Sequence, residues 1–127
     1  MNWGLIVAVG IGGFLGATSR FMISTWIQKL TVSNFPFGTL SVNILGSFLM
    51  GFLFMYFSNI NLSLYQKLIF TTGFLGALTT FSTFSLETLN LLREEAYLAS
   101  ILNIFLNMTL SIGATYMGIV LFRLITK

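Results

Sequence analysis

The stretch FGTLSVNILGSFLMGFLFMYF, residues 37–57, contains no charged side chain and no proline. The hydrocarbon core of a bilayer is about 30 Å thick, and a helix of roughly 20 apolar residues crosses it. The turn at residues 33–36 ends in Pro36, which closes the preceding segment and permits a new helix to begin. Residues 37–57 therefore predict a membrane-spanning helix.

Three more charge-poor segments of similar length lie on either side of it. They span residues 3–26, 67–92 and 97–122. Lipid cannot satisfy the hydrogen bonds of an open backbone, so such segments favour helices over strands. The short connections leave no room for a soluble domain. The sequence thus predicts an all-α membrane protein, in which residues 1–127 form a single domain of four transmembrane helices.

The composition excludes several classes of function. Of the 127 residues, 56% are hydrophobic and 7% are charged, and the chain has neither histidine nor cysteine. Imidazole catalysis, cysteine nucleophiles, disulfides and thiolate zinc sites are therefore ruled out. No pair of carboxylates and no nucleophile with a base falls at one depth, so we do not expect an enzyme. The six basic residues are scattered singly, which argues against nucleic-acid binding.

The positive charges next to the predicted helices show no bias towards one side of the membrane. Lysine and arginine normally accumulate on the cytoplasmic side of a membrane protein. With four spans, three basic residues fall on each side: Lys67, Arg123 and Lys127 on one, and Arg20, Lys29 and Arg93 on the other. This balance favours dual topology and, with it, an antiparallel homodimer. The alternative is a single orientation set by other determinants.

The glycines of the first segment indicate close helix packing. Gly12 and Gly16 have the small-residue spacing that lets two helix backbones approach each other in a membrane. A dinucleotide-binding loop would need a strand, a turn and a ribose-binding acid, and the sequence has no such setting. Gly46, Ser47 and Gly51 in the second segment have the same interpretation.

The third segment contains a run of hydroxyl and aromatic residues, TTFSTFS at residues 79–85, which follows Gly73 and Gly76. One interpretation is an ordinary helix whose hydroxyls bond to carbonyls one turn earlier. The whole run, however, has low helix propensity, and an interrupted helix is tolerated at membrane depth only where it faces protein, an ion or water. We therefore predict that the third helix is broken near its middle.

Asparagine and hydroxyl side chains also lie in the second and fourth segments. Asn43 must find partners inside the membrane, and its N–H groups can donate to an anion. Asn107, Ser111 and Thr115 recur at intervals of four and form one stripe of a helix, which Asn103 extends by a turn. Such a stripe is either interhelical hydrogen bonding or the wall of a wetted path. The length of the stripe, four polar residues along one helix, favours the wetted path.

The side chains inside the predicted spans suit a small anion better than a cation. Phenylalanine rings have positive edges, and Phe81 and Phe84 are three residues apart on one helix face. A cation path would need a ring of carboxylates or an open array of carbonyls. The sequence shows neither, so we expect the ring edges to contact a halide that has lost its water.

Three motifs carry a resemblance to a known family. Residues 73–85, followed by Glu87, closely resemble the signature of the Fluc (CrcB-type) fluoride channels. The glycines and Arg20 of residues 12–20, and residues 38–46 around Asn43, are similar to other motifs of that family. The resemblance covers essentially the whole chain.

The resemblance implies a fluoride-selective channel that exports fluoride passively and protects the cell from its toxicity. Its subunits would form an antiparallel dimer with two pores in the inner (plasma) membrane, each pore lined by both chains. Hydrogen fluoride enters a cell neutral and is trapped as the anion, and the membrane potential then drives the anion out. The fluoride pathway would comprise Arg20, Asn43, Phe81, Ser82, Thr83, Phe84, Asn107, Ser111 and Thr115.

The resemblance also implies one structural sodium ion on the dimer axis. Its ligands would be the backbone carbonyls of Gly76 and Thr79. Two residues depart from the family pattern, because Asn107 stands where a smaller hydroxyl is often found and Asn103 where a tyrosine can occur. Arg20 would draw anions to the pore entrance, or it would anchor the helix at the membrane edge.

Two other classes of protein share some of these features. Small multidrug transporters also form antiparallel dimers of four-helix chains, but they use a glutamate in the first helix, and the first segment here has none. An assembly or chaperone subunit would use the polar stripes for packing alone. Flux from proteoliposomes distinguishes the three classes.

Overall fold

The computed structural model describes residues 1–127 and contains only helices, turns and loops. The helices, in chain order, are α1 (Trp3–Thr31), α2 (Phe37–Asn59), α3 (Leu64–Leu68), a π-helix (Ile69–Leu75), α4 (Gly76–Leu78), α5 (Phe81–Arg93) and α6 (Tyr97–Ile125). Together α3, the π-helix, α4 and α5 make up the third span, Leu64–Arg93.

Four long helices are apolar enough to cross a membrane, as the sequence predicts for an all-α membrane protein. Each extends a few residues beyond at least one predicted bound, because polar residues near the ends continue the helical hydrogen bonding. The start of α1 is stabilised by Asn2, whose side chain accepts hydrogen bonds from the amides of Gly4 and Leu5. The helix ends where Val32 adopts a left-handed conformation, with φ of 43°.

The third span changes its backbone conformation along its length. Ser63 and Gln66 form a capping box at the start of α3. The chain then passes through the π-helix into α4, and Thr79 and Thr80 have extended backbone angles before α5 begins. The seven residues of the π-helix were not anticipated from the sequence, and π-helical turns occur frequently at functional sites.

Glycines bring the helix backbones into close contact. A Cβ atom on Gly12 would lie 2.1 Å from the carbonyl oxygen of Ile69, and one on Gly16 would lie 2.1 Å from that of Phe74. The interpretation of these two glycines as packing residues is thus confirmed, and their neighbour is the third span of the same chain. Gly51 makes the corresponding contact between α2 and α6, with the carbonyl of Thr115.

A small apolar core lies between the spans, around the fully buried Val42, Leu75 and Leu78. Many other large apolar side chains are exposed on the outer helix surfaces. Such an outward apolar surface is what a helix bundle presents to lipid rather than to water.

Candidate functional site

Asn43 binds the extended segment between α4 and α5. Its side-chain Oδ1 accepts a hydrogen bond of 2.8 Å from the backbone N–H of Thr80, and its Nδ2 donates one of 3.2 Å to the Thr80 carbonyl. One side chain thereby satisfies both backbone groups of Thr80, which no longer bond within a helix. This pairing stabilises the non-helical backbone inside the bilayer.

The side chain of Thr80 caps the start of α5. Its hydroxyl accepts from the backbone N–H of Thr83 at 3.3 Å and donates to the Thr83 hydroxyl at 3.0 Å. Since α5 has 13 residues, its aligned peptide dipoles give this end a partial positive charge. The positive end of a helix thus lies inside the span rather than at the membrane surface.

An open pocket of about 270 Å³ lies beside this helix start. It has no charged side chain. Five of the predicted pathway residues line it, together with Thr79, and they are Asn43, Phe81, Phe84, Asn107 and Ser111. Ser47, Thr80, Met108 and Ile112 complete the wall.

Phe81 and Phe84 meet edge to face in this pocket, with ring centroids 5.2 Å apart and planes inclined by 60°. Phe84 is buried, with 5% of its surface exposed, whereas Phe81 is 69% exposed. The pair therefore presents one fixed ring and one ring that a single chain leaves uncovered.

A chain of hydrogen bonds connects Asn43 to the fourth span. The Nδ2 of Asn43 donates to Oδ1 of Asn107 at 2.9 Å, and the Nδ2 of Asn107 donates to both the carbonyl and Oδ1 of Asn103, each at 2.9 Å. Asn103 in turn donates to the hydroxyl of Thr88 at 2.9 Å. Asn103 and Asn107, the N-terminal half of the predicted polar stripe, are thus each engaged in a bond to another helix.

Ser111 and Thr115, the C-terminal half of the stripe, are bonded differently. The hydroxyl oxygen of Ser111 is buried and has no hydrogen-bond partner. Thr115 donates to the Ser111 carbonyl at 3.1 Å and does not line the pocket. Ser111 is therefore the stripe residue with a free hydroxyl at the pocket wall.

The remaining predicted residues lie outside this pocket. Arg20 and Thr83 line a neighbouring pocket of about 180 Å³, and Arg20 donates to the Thr79 carbonyl at 3.5 Å. Ser82 is exposed one residue after the start of α5, and Gly76 is exposed on the third span. A single chain therefore does not gather all predicted pathway residues around one cavity.

A second polar feature was missed as a candidate from the sequence. The hydroxyl of Thr39 donates to Oε1 of Glu87 at 2.7 Å, and both line a cavity of about 310 Å³ that has no apolar side chain. Oε2 of Glu87 is buried without a partner. The available signal was the position of Thr39, which lies one helical turn before Asn43 on the same face of α2.

These features define a small polytopic membrane protein with an uncharged, largely apolar pocket inside the bilayer, bordered by amide and hydroxyl residues and by non-helical backbone in one span. Such arrangements are typical of proteins that carry an ion or solute across the membrane. Residues 7–119 match the family described as CrcB-like protein, Camphor Resistance (CrcB). The chain belongs to this family.

Several relatives are similar over nearly their whole length, and each is named a fluoride-specific ion channel, FluC. The protein from a Nitratiruptor species is 58% identical over 97% of this chain and 95% of its own. The one from a Sulfurovum species is 52% identical over 94% of both chains. That from Campylobacter lari is 48% identical over 94% of this chain and 98% of its own.

Proposed function

We propose that this protein is a fluoride-selective channel of the bacterial plasma membrane, which lets fluoride leave the cell down its electrochemical gradient. The names of the relatives and the family membership support this function. The same comparisons confirm the prediction that the chain is not an enzyme. A negative-inside potential supplies about 2.3 kcal/mol per charge for each 100 mV, so export needs no ATP.

The observation that carries the proposal is the chemistry of the pocket between α2, α5 and α6. It lies beside the positive end of α5, its wall includes the rings of Phe81 and Phe84 and Ser111, whose hydroxyl has no partner, and it contains no carboxylate. Such a surface stabilises a desolvated anion, whereas a cation would meet too few oxygen ligands.

The extended backbone at Thr79 and Thr80 is the centre of this pathway. We assign the break predicted near the middle of the third helix to these two residues, because α4 ends and α5 begins there, within the bilayer. Asn43 holds the break through two bonds to Thr80. We place the fluoride path along this break, past the two phenylalanines and the Ser111 hydroxyl.

The functional unit in this proposal is an antiparallel homodimer with two pores. Phe81 is 69% exposed, and the hydroxyls of Ser82 and Thr83 lie on the exposed start of α5 within a span. The Thr83 hydroxyl accepts from Thr80, but its own O–H has no acceptor within one chain, and a second chain can supply one where lipid cannot. The balanced basic residues favour two opposite orientations, and each of the two pores is then lined by both chains.

A structural sodium ion at the dimer axis is part of the same proposal. The N–H of Thr80 bonds to Asn43, so the Gly76 carbonyl lacks the helical donor that Thr80 would otherwise supply. The Thr79 carbonyl accepts only a long hydrogen bond of 3.5 Å from Arg20, so sodium would take this oxygen by displacing that guanidinium. Both are hard oxygen donors, which fit sodium. Replacing sodium with N-methylglucamine should lower the dimer fraction in size-exclusion chromatography, and equal fractions would contradict the assignment.

Fluoride efflux from proteoliposomes tests the main proposal. Vesicles loaded with potassium fluoride or potassium chloride receive valinomycin, and ion-selective electrodes record the release. We expect fluoride release with chloride retained. Equal release of both anions would overturn fluoride selectivity, and proton-coupled uptake of a cationic drug would favour the small multidrug transporter instead. Empty vesicles are the control.

Orientation can be measured cleanly because the chain has no cysteine. A single cysteine at Asn2, labelled with a membrane-impermeant maleimide in cells, should react in only part of the population if both orientations exist. Two lysines added after Lys127 should shift that fraction and reduce functional dimers. A single orientation, seen as complete labelling or as no labelling, together with full activity would contradict dual topology.

A further inference from the structure

The two N–H donors of Asn43 are both occupied in the structure. One donates to the Thr80 carbonyl, and together with the bond from the Thr80 amide it satisfies the backbone of the break. The other donates to the side-chain oxygen of Asn107 at 2.9 Å. An anion can therefore receive a hydrogen bond from Asn43, without opening the break, only in place of Asn107.

The oxygen of Asn107 is held in this position by its own amide group. Both of its N–H donors bond to Asn103, at 2.9 Å to the backbone carbonyl and at 2.9 Å to Oδ1. Asn107 is 5% exposed and Asn103 is 0% exposed, so water cannot readily replace these bonds. Because the Asn107 amide donates towards Asn103, its carbonyl oxygen is directed towards Asn43.

We propose that the side-chain oxygen of Asn107 is a built-in competitor for fluoride at Asn43, a role that rests on the proposed channel function. Fluoride takes over the N–H of Asn43 by exchanging with Asn107 in the pocket that both residues line. Ser111 lies one turn after Asn107 on the same face of α6, and its hydroxyl has no partner. While fluoride is bound at Asn43, the single O–H of Ser111 can donate to the released oxygen, so the exchange leaves no buried acceptor unpaired; this O–H is available to fluoride only before and after the exchange. Asn107 thus sets how tightly Asn43 binds the anion.

Replacement of Asn107 by serine tests the competition. The shorter hydroxyl can still bond to the Asn103 carbonyl four residues earlier but cannot reach Asn43. We expect the fluoride concentration for half-maximal initial efflux to fall roughly two- to tenfold, the equivalent of one net hydrogen bond. Asn59→Ser is the matched control, since exposed Asn59 also donates to the carbonyl four residues earlier, that of Met55, at 2.8 Å.

An unchanged or higher half-maximal concentration in Asn107→Ser, with normal dimers, would overturn the proposed competition. Efflux from the wild type in the same series tests the channel function separately, and its absence would remove both proposals. A second measurement does not depend on a variant that folds. In ¹⁵N spectra of the wild type in detergent, fluoride but not chloride should shift the side-chain amide signals of Asn43 and Asn107 together. A fluoride titration that leaves either signal unmoved would contradict the exchange.

Discussion

Because α1 and the third span pack backbone to backbone, even the methyl group of alanine at Gly12 should lower the stability of the fold. In Gly12→Ala, the new Cβ would lie 2.1 Å from the Ile69 carbonyl oxygen, 2.9 Å from the Phe74 amide nitrogen and 3.0 Å from the Gly73 Cα. Ordinary contact begins at 3.4 Å. The closest pair must therefore separate by 3.4 − 2.1 = 1.3 Å, and all three neighbours are backbone atoms that cannot rotate away.

The cost follows from two opposing terms. Overpacking of this kind typically costs about 1–3 kcal/mol. Alanine in a helix interior is favoured over glycine by about 0.5–1 kcal/mol. Gly10→Ala is the matched control, because its Cβ would meet nothing within 4 Å and only the second term applies. The difference between the two variants isolates the clash, and we expect Gly12→Ala to be less stable by about 1–3 kcal/mol.

Unfolding in mixed detergent micelles measures this difference. Both tryptophans of the chain, Trp3 and Trp26, lie on α1, so their fluorescence reports the separation of α1 from the bundle during an SDS titration. We expect the midpoint to fall for Gly12→Ala and to stay level or rise for Gly10→Ala. Equal midpoints for the two variants would show that α1 and the π-helix do not pack as closely as the structure indicates.

Two further predictions concern the pocket. Phe81→Ile and Phe84→Ile should each abolish or strongly reduce fluoride efflux. Phe84→Ile should also lower the unfolding midpoint, since Phe84 is buried, whereas Phe81→Ile should cost little stability, since Phe81 is exposed in one chain. Phe105→Ile on the exposed surface of α6 is the control, and unchanged efflux in both pocket variants would remove the rings from the pathway. Asn43→Asp should block efflux because a carboxylate would face two acceptor oxygens and an anion, while Asn59→Asp should not; full efflux from Asn43→Asp would contradict this.

Sequence patterns were most informative where a single segment decides the outcome. The length and apolarity of the four segments predict four membrane-spanning helices, which the structure contains. The spacing of Gly12 and Gly16 predicts close packing, because a missing side chain permits close approach whichever helix is the neighbour. The clustering of hydroxyls at residues 79–85 points to the segment in which Thr79 and Thr80 adopt extended angles.

Partner choice was not predictable in the same way. The amide of Asn43 is able to bond to an anion, to backbone or to another side chain, and each choice agrees with the sequence pattern. In the structure it bonds to Thr80 and Asn107, residues 37 and 64 positions away. The bond between Thr39 and Glu87 is likewise set by how α2 packs against α5.

The sequence by itself determined the solvent, the number of spans and the kind of chemistry available inside them. Those properties depend on hydrophobicity, length and residue type, which each segment carries alone. Only the tertiary structure decided which donors are already engaged, which hydroxyl is free and which phenylalanine stays uncovered. The physical reason is that hydrogen bonds act over about 3 Å, so their partners are selected by the packing of helices that are distant in the chain.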